Sequence, residues 1–481
     1  MPNDASGGSS HPTLQGSKKL TGRVGFFGTV GLPLGILAIS ASALTFPPVI
    51  TSLVGTAAPL SFVIGLVIGL PIALSFCLFG RRYATCGSIY GFNSTALGSS
   101  YGFVSGSTLA MAYLCGTWAS ALIATSFVNE LFPRYAADVP YWVTTVVLEM
   151  VGALLAYRGI KFSANLSTVI ETTAMVLLAV IGFAVLAHGG ARRNSISATP
   201  FTMHGLSFGA LALGIAITFS AYSGFESSAV LGEESQNPRR AIPQAIVISL
   251  LIAGVALIFT SYVLTVGFSS TKALLSSSSP MVELSQRFAG GVTVGKLLLA
   301  FAFFSAVGAI PGNQNSAARI IYSFGRDRIL PGRLAHTQRQ YGTPVGGIAA
   351  AVIFGVVMTL ALAHYRLATN LTASVSALAV GIIVSYLSSV VAAIVKFWRM
   401  WYWTIVLVVT VPVIVYVLKD NIWPLPSSPY DFAIYAAFAW IVLSACALVS
   451  RGLRRRLASS ETLAVMEGPE TREPAAVSEA S

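Results

Sequence analysis

The chain has 481 residues, of which 55% are hydrophobic and only 10% charged. A soluble globular domain carries about 25% charged residues, so the composition excludes one and points to a protein that crosses a membrane many times. The formal net charge of +12 would suit a nucleic-acid partner, but the basic residues sit in short connectors between apolar runs, where they are a topology signal.

In chain order, residues 1–22 come first; they lack the apolar core of a signal peptide and read as a disordered cytoplasmic tail. A membrane helix needs about 20 apolar residues. Runs of that kind occupy 28–54, 58–80, 101–130, 141–157, 164–187, 206–232, 242–268, 296–322, 345–363, 370–395, 401–418 and 430–449, which predicts an all-α integral membrane protein with twelve spanning helices. Arg81, Arg82, Arg239, Arg240, Arg326 and Arg451 fall on the side that holds both termini, whereas Arg192 and Arg193 run against the asymmetry. The expected setting is the lipid bilayer of a cytoplasmic membrane, with both ends inside.

The first run contains Gly35-Ile-Leu-Ala-Ile-Ser-Ala-Ser-Ala-Leu-Thr-Phe-Pro-Pro48. Small and hydroxyl residues crowd its middle, and proline cannot donate a hydrogen bond back up the helix. A break near Ser40–Thr45 is predicted, although small residues would equally serve close helix packing. The sixth run shifts that balance. Thr218-Phe-Ser-Ala-Tyr-Ser-Gly-Phe-Glu226 places hydroxyls, a glycine and a carboxyl group where a plain span would carry leucine. Such groups are costly in hydrocarbon unless they line a cavity or find partners. Its interruption, Ser220–Gly224, lies five helices after the first, and paired discontinuous helices in two inverted halves point to a transporter binding site. A half-helix N-terminus presents unpaired N–H groups that suit a carboxylate, and the freed carbonyls suit an ammonium group. The candidate substrate-binding residues are Ser40, Ala41, Ser42 and Ala43 in the first break, and Phe219, Ser220, Tyr222, Ser223, Gly224 and Phe225 in the second.

Between these runs, the connector Arg81–Phe92 is short of leucine and predicts a short interfacial or re-entrant helix. The basic loop Ser323–Pro331 reads as a solvated turn. Residues 401–450 hold little polar material and serve as two accessory helices. Residues 451–481 read as a cytoplasmic tail, acidic and disordered from 457 onward. Cys77, Cys86, Cys115 and Cys446 form neither a metal spacing nor a disulfide framework. Gly290–Lys296 imitates a phosphate-binding loop, but Leu297 stands where Ser or Thr would hold magnesium. The histidines fall in tails and loops. No cofactor, metal or catalytic constellation is expected, and the chain does not read as an enzyme.

Taken together, the motifs resemble the amino acid–polyamine–organocation permease superfamily. Gly224-Phe-Glu226 with Glu233-Glu-Ser-Gln-Asn-Pro-Arg-Arg-Ala-Ile-Pro243 is similar to its sixth helix and following loop. Tyr83–Tyr90, Gly159-Ile-Lys161 and Asn315–Pro331 are similar to its helix 2–3 connector, its helix 4–5 loop and the end of its eighth helix. The resemblance implies a LeuT-type five-plus-five inverted repeat, here residues 23–187 and 188–400, and alternating-access transport of amino acids or related amines. The family's first break typically reads Gly-Ser-Gly. Ala41-Ser42-Ala43 stands there instead, and alanine tolerates an unwound backbone less easily.

Three carboxyl groups lie inside predicted spans, and an intramembrane acid is a functional candidate by default. Glu226 matches the family's acidic position and is the first candidate proton carrier; the alternative is a cap on the following half-helix. Glu171 lies about 15 Å of helix rise past Lys161, near midplane, and is the second. Glu149 reads as a buried hydrogen-bond partner, and Ser305 is a conceivable hydroxyl ligand. The expected function is proton-coupled import of an amino acid or closely related amine. An exchanger of the same fold and a non-transporting sensor are the alternatives.

Overall fold

The computed structural model describes residues 24–158, 160–191, 196–203, 205–338, 340–423 and 430–460, without the side chains of 160–168 and 430. The tails at 1–22 and 461–481, Gly159, the Lys161 side chain and the Arg192–Arg193 pair lie outside the described residues.

Every backbone N–H and C=O in hydrocarbon has to be paired within the chain, and the apolar runs satisfy that demand as helices. α1 (Phe26–Leu37) and α2 (Ile39–Val54) share the first run, and α3 (Ala58–Gly80) fills the second. α4 (Ile89–Leu97) is a short helix that starts inside the connector Arg81–Phe92, where one was expected, and runs five residues past it. Then come α5 (Ser99–Leu131), α6 (Pro133–Asp138), α7 (Tyr141–Tyr157) and α8 (Ile160–Ala187). α9 (Phe208–Tyr222) gives way to a 3₁₀ segment, Phe225–Leu231. α10 (Pro238–Gly267), α11 (Thr271–Ser276), α12 (Pro280–Phe288), α13 (Val292–Arg326), α14 (Val345–Ala361), α15 (Leu367–Lys396), α16 (Trp401–Ile422), α17 (Tyr430–Ala447) and α18 (Arg451–Ala458) complete the chain.

Among the described residues, eight helical stretches are long and apolar enough to cross a membrane. The first, Phe26–Gly80, has 55 residues, more than twice what one crossing needs. α7 and α14 are apolar helices of 17 residues each. The molecule is an all-helical, multi-pass membrane protein. Burial separates its centre from its rim: 83% of the most apolar window of α5 is buried, against 22% for α16. α5 is the axis, packed on α13 and α15, and its Gly and Ala content permits that close approach.

Two loop expectations change. Asp327, in the loop read as solvated, is buried and accepts hydrogen bonds from the Tyr90 and Ser460 hydroxyls. The chain after Ser450 is not a loose tail at once: Ser450 Oγ caps α18, and Leu457 and Ser460 are buried. Leu453 and Leu457, four residues apart, lie on one face of α18, and that face packs on the bundle.

Candidate functional site

The first break falls at Ala38, upstream of the expected Ser40–Thr45. Ala38 is left-handed (φ 42°, ψ 57°), while Ser40, Ala41, Ser42 and Ala43 lie within α2, which runs on through Pro47 and Pro48. Neighbouring groups in a membrane protein can pair what proline leaves unpaired, so the prolines do not interrupt the helix. Left-handed alanine costs roughly 1–2 kcal/mol. The freed groups are recovered locally: Ser42 Oγ donates to the Leu37 carbonyl at 2.7 Å, and the Ser40 N–H donates to Glu171 Oε2 at 3.0 Å. An ordinary hydrogen bond contributes about 0.5–1.5 kcal/mol, so the two together are of the size of the strain. The other oxygen of Glu171, which belongs to α8, accepts from Ser305 Oγ of α13. One carboxyl group thus joins three helices at the break.

The second break falls at Ser223–Gly224, the last two residues of the expected Ser220–Gly224, because α9 runs on through Tyr222. Gly224 has φ 110°, and a Cβ there would lie 2.4 Å from Ile36 Cγ2. Backbone conformation and contact with α1 both require glycine. The freed Gly224 N–H donates to Glu226 Oε2 at 3.1 Å, the Tyr386 hydroxyl donates to the same oxygen at 2.6 Å, and Tyr113 donates to Oε1 at 3.0 Å. Glu226 is fully buried, and it links the 3₁₀ segment to α5 and α15. Phe76, Phe219 and Phe225 surround Tyr386.

Between the breaks lies a cavity of about 40 Å³. Ile36, Leu37, Ala38, Ala41, Ser42 and Phe46 line it from the first break, Ser220 from α9 and Ser223 from the second break. α5 supplies Gly116, Ala119, Ser120 and Ile123; α13 supplies Ala306, Ala309 and Asn313; α15 supplies Val375 and Leu378. Its polar edge is made of hydroxyls and one amide: Asn313 Nδ2 donates to the Ala309 carbonyl at 3.1 Å, while Ser220 Oγ has no hydrogen-bond partner among the described residues. Among the described residues, no charged side chain lines it.

Four of the ten predicted binding residues therefore face the cavity: Ala41, Ser42, Ser220 and Ser223. Ser40 faces Glu171 through its backbone, Ala43 is buried in the core, and Gly224 backs onto Ile36. Phe219, Tyr222 and Phe225 are buried beside the cavity rather than in its wall. Tyr222 is directed away, its hydroxyl donating to the Phe62 carbonyl at 2.9 Å. Ala38, Ser120 and Asn313 were not foreseen. Asn313 had a signal, an amide-rich stretch (Gly312 to Asn315) inside an apolar run.

Beyond Glu226, toward the connector face, two ion pairs join α13 to the loop after the 3₁₀ segment. Arg319 holds Glu234 through two bonds of 2.7 and 3.2 Å. Arg326 holds Glu233 at 3.0 Å, and the Cys86 N–H donates to Glu233 at 3.2 Å. Burial would raise the Glu233 pKa, but the Arg326 guanidinium outweighs it and holds the carboxyl below its ordinary value. Val24 continues this face by exchanging backbone hydrogen bonds with Glu234 and Gln236. Glu149 occupies a hydrogen-bonding place, as expected: Gln314 Nε2 donates to its Oε2 at 3.2 Å, and Gly355 leaves room for the carboxyl.

The two helix breaks thus converge on a small, largely apolar cavity with a hydroxyl and amide edge. The amino acid permease family profile matches residues 24–450, and the chain belongs to that family, within the amino acid–polyamine–organocation superfamily. It is 28% identical over 319 residues to the low-affinity putrescine importer PlaP of Escherichia coli K12, covering 64% of this chain and 69% of that one. It is also 28% identical over 351 residues to mouse cationic amino acid transporter 4, covering 69% and 53%. With the branched-chain amino acid permease BcaP of Lactococcus lactis it shares 24% identity over 349 residues, covering 68% and 73%.

Proposed function

We propose that the protein is a secondary active transporter that imports a neutral amino acid, or a closely related amine, across the cytoplasmic membrane by proton-coupled alternating access. Twelve helices would build it: inverted LeuT-type repeats at 23–187 and 188–400, and accessory helices within 401–450. The observation that carries this is the cavity at the meeting of both breaks, flanked by the buried carboxyl groups of Glu171 and Glu226. Backbone groups around Ala38 and Ser223 would hold the substrate's ammonium and carboxylate ends.

The uncharged wall bears on the substrate class. A buried diamine or cationic side chain needs a carboxylate partner, and the relatives named for putrescine and cationic amino acids would lead one to look for it. Ile123, Phe46, Val375 and Leu378 instead suit a neutral side chain. Binding sites for drug-sized ligands occupy about 300–1,000 Å³, so the present cavity has to widen to admit a substrate.

Coupling would follow from hydrogen-bond arithmetic. An ionised carboxyl only accepts, whereas a protonated one must also donate. Protonating Glu226 on Oε1 would reverse the Tyr113 bond, the acid donating to the phenol oxygen, and loss of the negative charge would weaken the Tyr386 and Gly224 bonds to Oε2, which loosens α5 and α15 from the 3₁₀ segment. Protonating Glu171 weakens its hold on the Ser40 N–H. Uptake of labelled neutral amino acids, arginine and putrescine into proteoliposomes tests the assignment. Saturable uptake of a neutral amino acid supports it. Exchange without net uptake identifies an antiporter, and binding without movement identifies a sensor.

A further inference from the structure

α18 carries a face that the transport cycle leaves unused. The chain turns by 83° between Asp431–Ala447 and Arg451–Ala458. A helix that follows a membrane span at that angle lies across the end of the bundle, in the plane of the bilayer surface. Its inner side is anchored. Leu457 is buried and Leu453 packs against the core. Arg456 Nη1 donates to the Arg328 carbonyl at 2.8 Å, and Ser460 Oγ bonds Asp327 at 2.6 Å. The outer side carries Arg451, Arg454 and Arg455, all exposed. Their three- and four-residue spacing puts them on one face, and none is in an ion pair among the described residues.

Side-chain contacts fix the depth of this face. Ser107, near the start of α5, is 2.9 Å from Ser444, near the end of α17. Lys396, at the end of α15, reaches the Thr95 carbonyl of α4 at 2.9 Å. These helix ends therefore share one side of the bundle, which also exposes Trp398, Trp401 and Tyr402 at the α15–α16 junction. Exposed Trp and Tyr collect at the headgroup level of a bilayer. α18 lies at that level.

We propose that the outer face of α18 is a docking surface for anionic phospholipid headgroups of the surrounding membrane. Guanidinium groups pair with phosphate in bidentate fashion, and three of them stand at the depth where phosphates lie. The apolar side of α18 is turned to the protein, so headgroup charge, rather than chain insertion, governs the contact. The surface is independent of the identity of the transported substrate.

The test uses the purified full-length chain in a neutral detergent, with phosphatidylglycerol or phosphatidylcholine added, and follows lipid retention by native mass spectrometry and the melting temperature. Phosphatidylglycerol should be retained and raise the melting temperature, and phosphatidylcholine should not. Retention should weaken roughly fivefold for each arginine replaced in the series Arg451→Gln, Arg454→Gln and Arg455→Gln, and with added salt. Arg134→Gln, an exposed arginine on α6, should change nothing. Equal retention of both lipids, or a triple variant that holds phosphatidylglycerol as the wild type does, overturns the proposal. So does retention that emerges only after Glu461, Glu467, Glu470 and Glu473 are changed to Gln, because the chain's own acidic segment would then be the occupant.

Discussion

Glu171 and Ser40, 131 residues apart, are joined by a hydrogen bond of 3.0 Å from a backbone N–H to a carboxyl oxygen. The bond exists because α1 stops at Ala38 and leaves the first N–H groups of α2 without intrahelical partners. A carboxyl group at that point caps the half-helix and senses its dipole. Whatever changes the charge on Glu171 therefore acts directly on a break that lines the cavity.

Gly224 should be intolerant of any side chain. Gly224→Ala combines a disallowed φ with a Cβ 2.4 Å from Ile36, and alanine at positive φ destabilises by more than about 1 kcal/mol. A clear fall in melting temperature is expected. Ile36→Ala added to it should recover only the part due to the clash.

Removing one hydroxyl from the Glu226 clasp should loosen it without emptying the cavity. Tyr386→Phe deletes a bond of 2.6 Å worth about 1.5–3 kcal/mol if the acceptor is charged. Cys86 offers a readout. Burial, with Glu233 adding to it, pushes its thiol up to about 12, so a membrane-permeant maleimide should leave it unlabelled at pH 7 while the connector face is closed. Tyr386→Phe and Tyr113→Phe should each speed labelling at Cys86. Unchanged labelling would separate the clasp from opening of that face.

The ion pairs on the connector face should be strongly stabilising as pairs. Arg319 and Glu234 have side-chain exposures of 2% and 13%, and removing one partner of a buried pair costs about 3–5 kcal/mol. Glu234→Gln should lower the melting temperature far more than Glu283→Gln, whose partner Arg287 is half exposed.

The Glu233–Arg326 pair sets a pH dependence with a definite sign. The folded-state pKa of Glu233 lies below its ordinary value, so its contribution is complete above about pH 4.3. It is lost as pH falls through the lower folded-state value. Melting temperature measured downward from pH 5 should fall in the wild type, and Glu233→Gln should remove part of that slope.

The helices and the second break were legible because each has a local cause. Apolar length specifies a span, and Gly224 specifies a positive φ. The first break was misplaced because nothing in the sequence marks Ala38 as left-handed; the glutamate and serine that stabilise it come from α8 and from within α2. Glu226 was legible as a buried acid, but its partners Tyr113 and Tyr386 lie 113 and 160 residues away. Tyr222 misled for a related reason. An aromatic residue at a break can face the cavity or α3, and only packing on Phe62 decides between them.

The most direct test of the central claim is proteoliposome uptake of a neutral amino acid with and without an inward proton gradient, in wild type and in Glu226→Gln and Glu171→Gln. The gradient should accelerate wild-type uptake severalfold. Both variants should still bind substrate in a thermal-shift assay while losing most of that acceleration. Wild-type uptake indifferent to the gradient, or variants that respond as the wild type does, would contradict proton coupling through these two carboxyl groups.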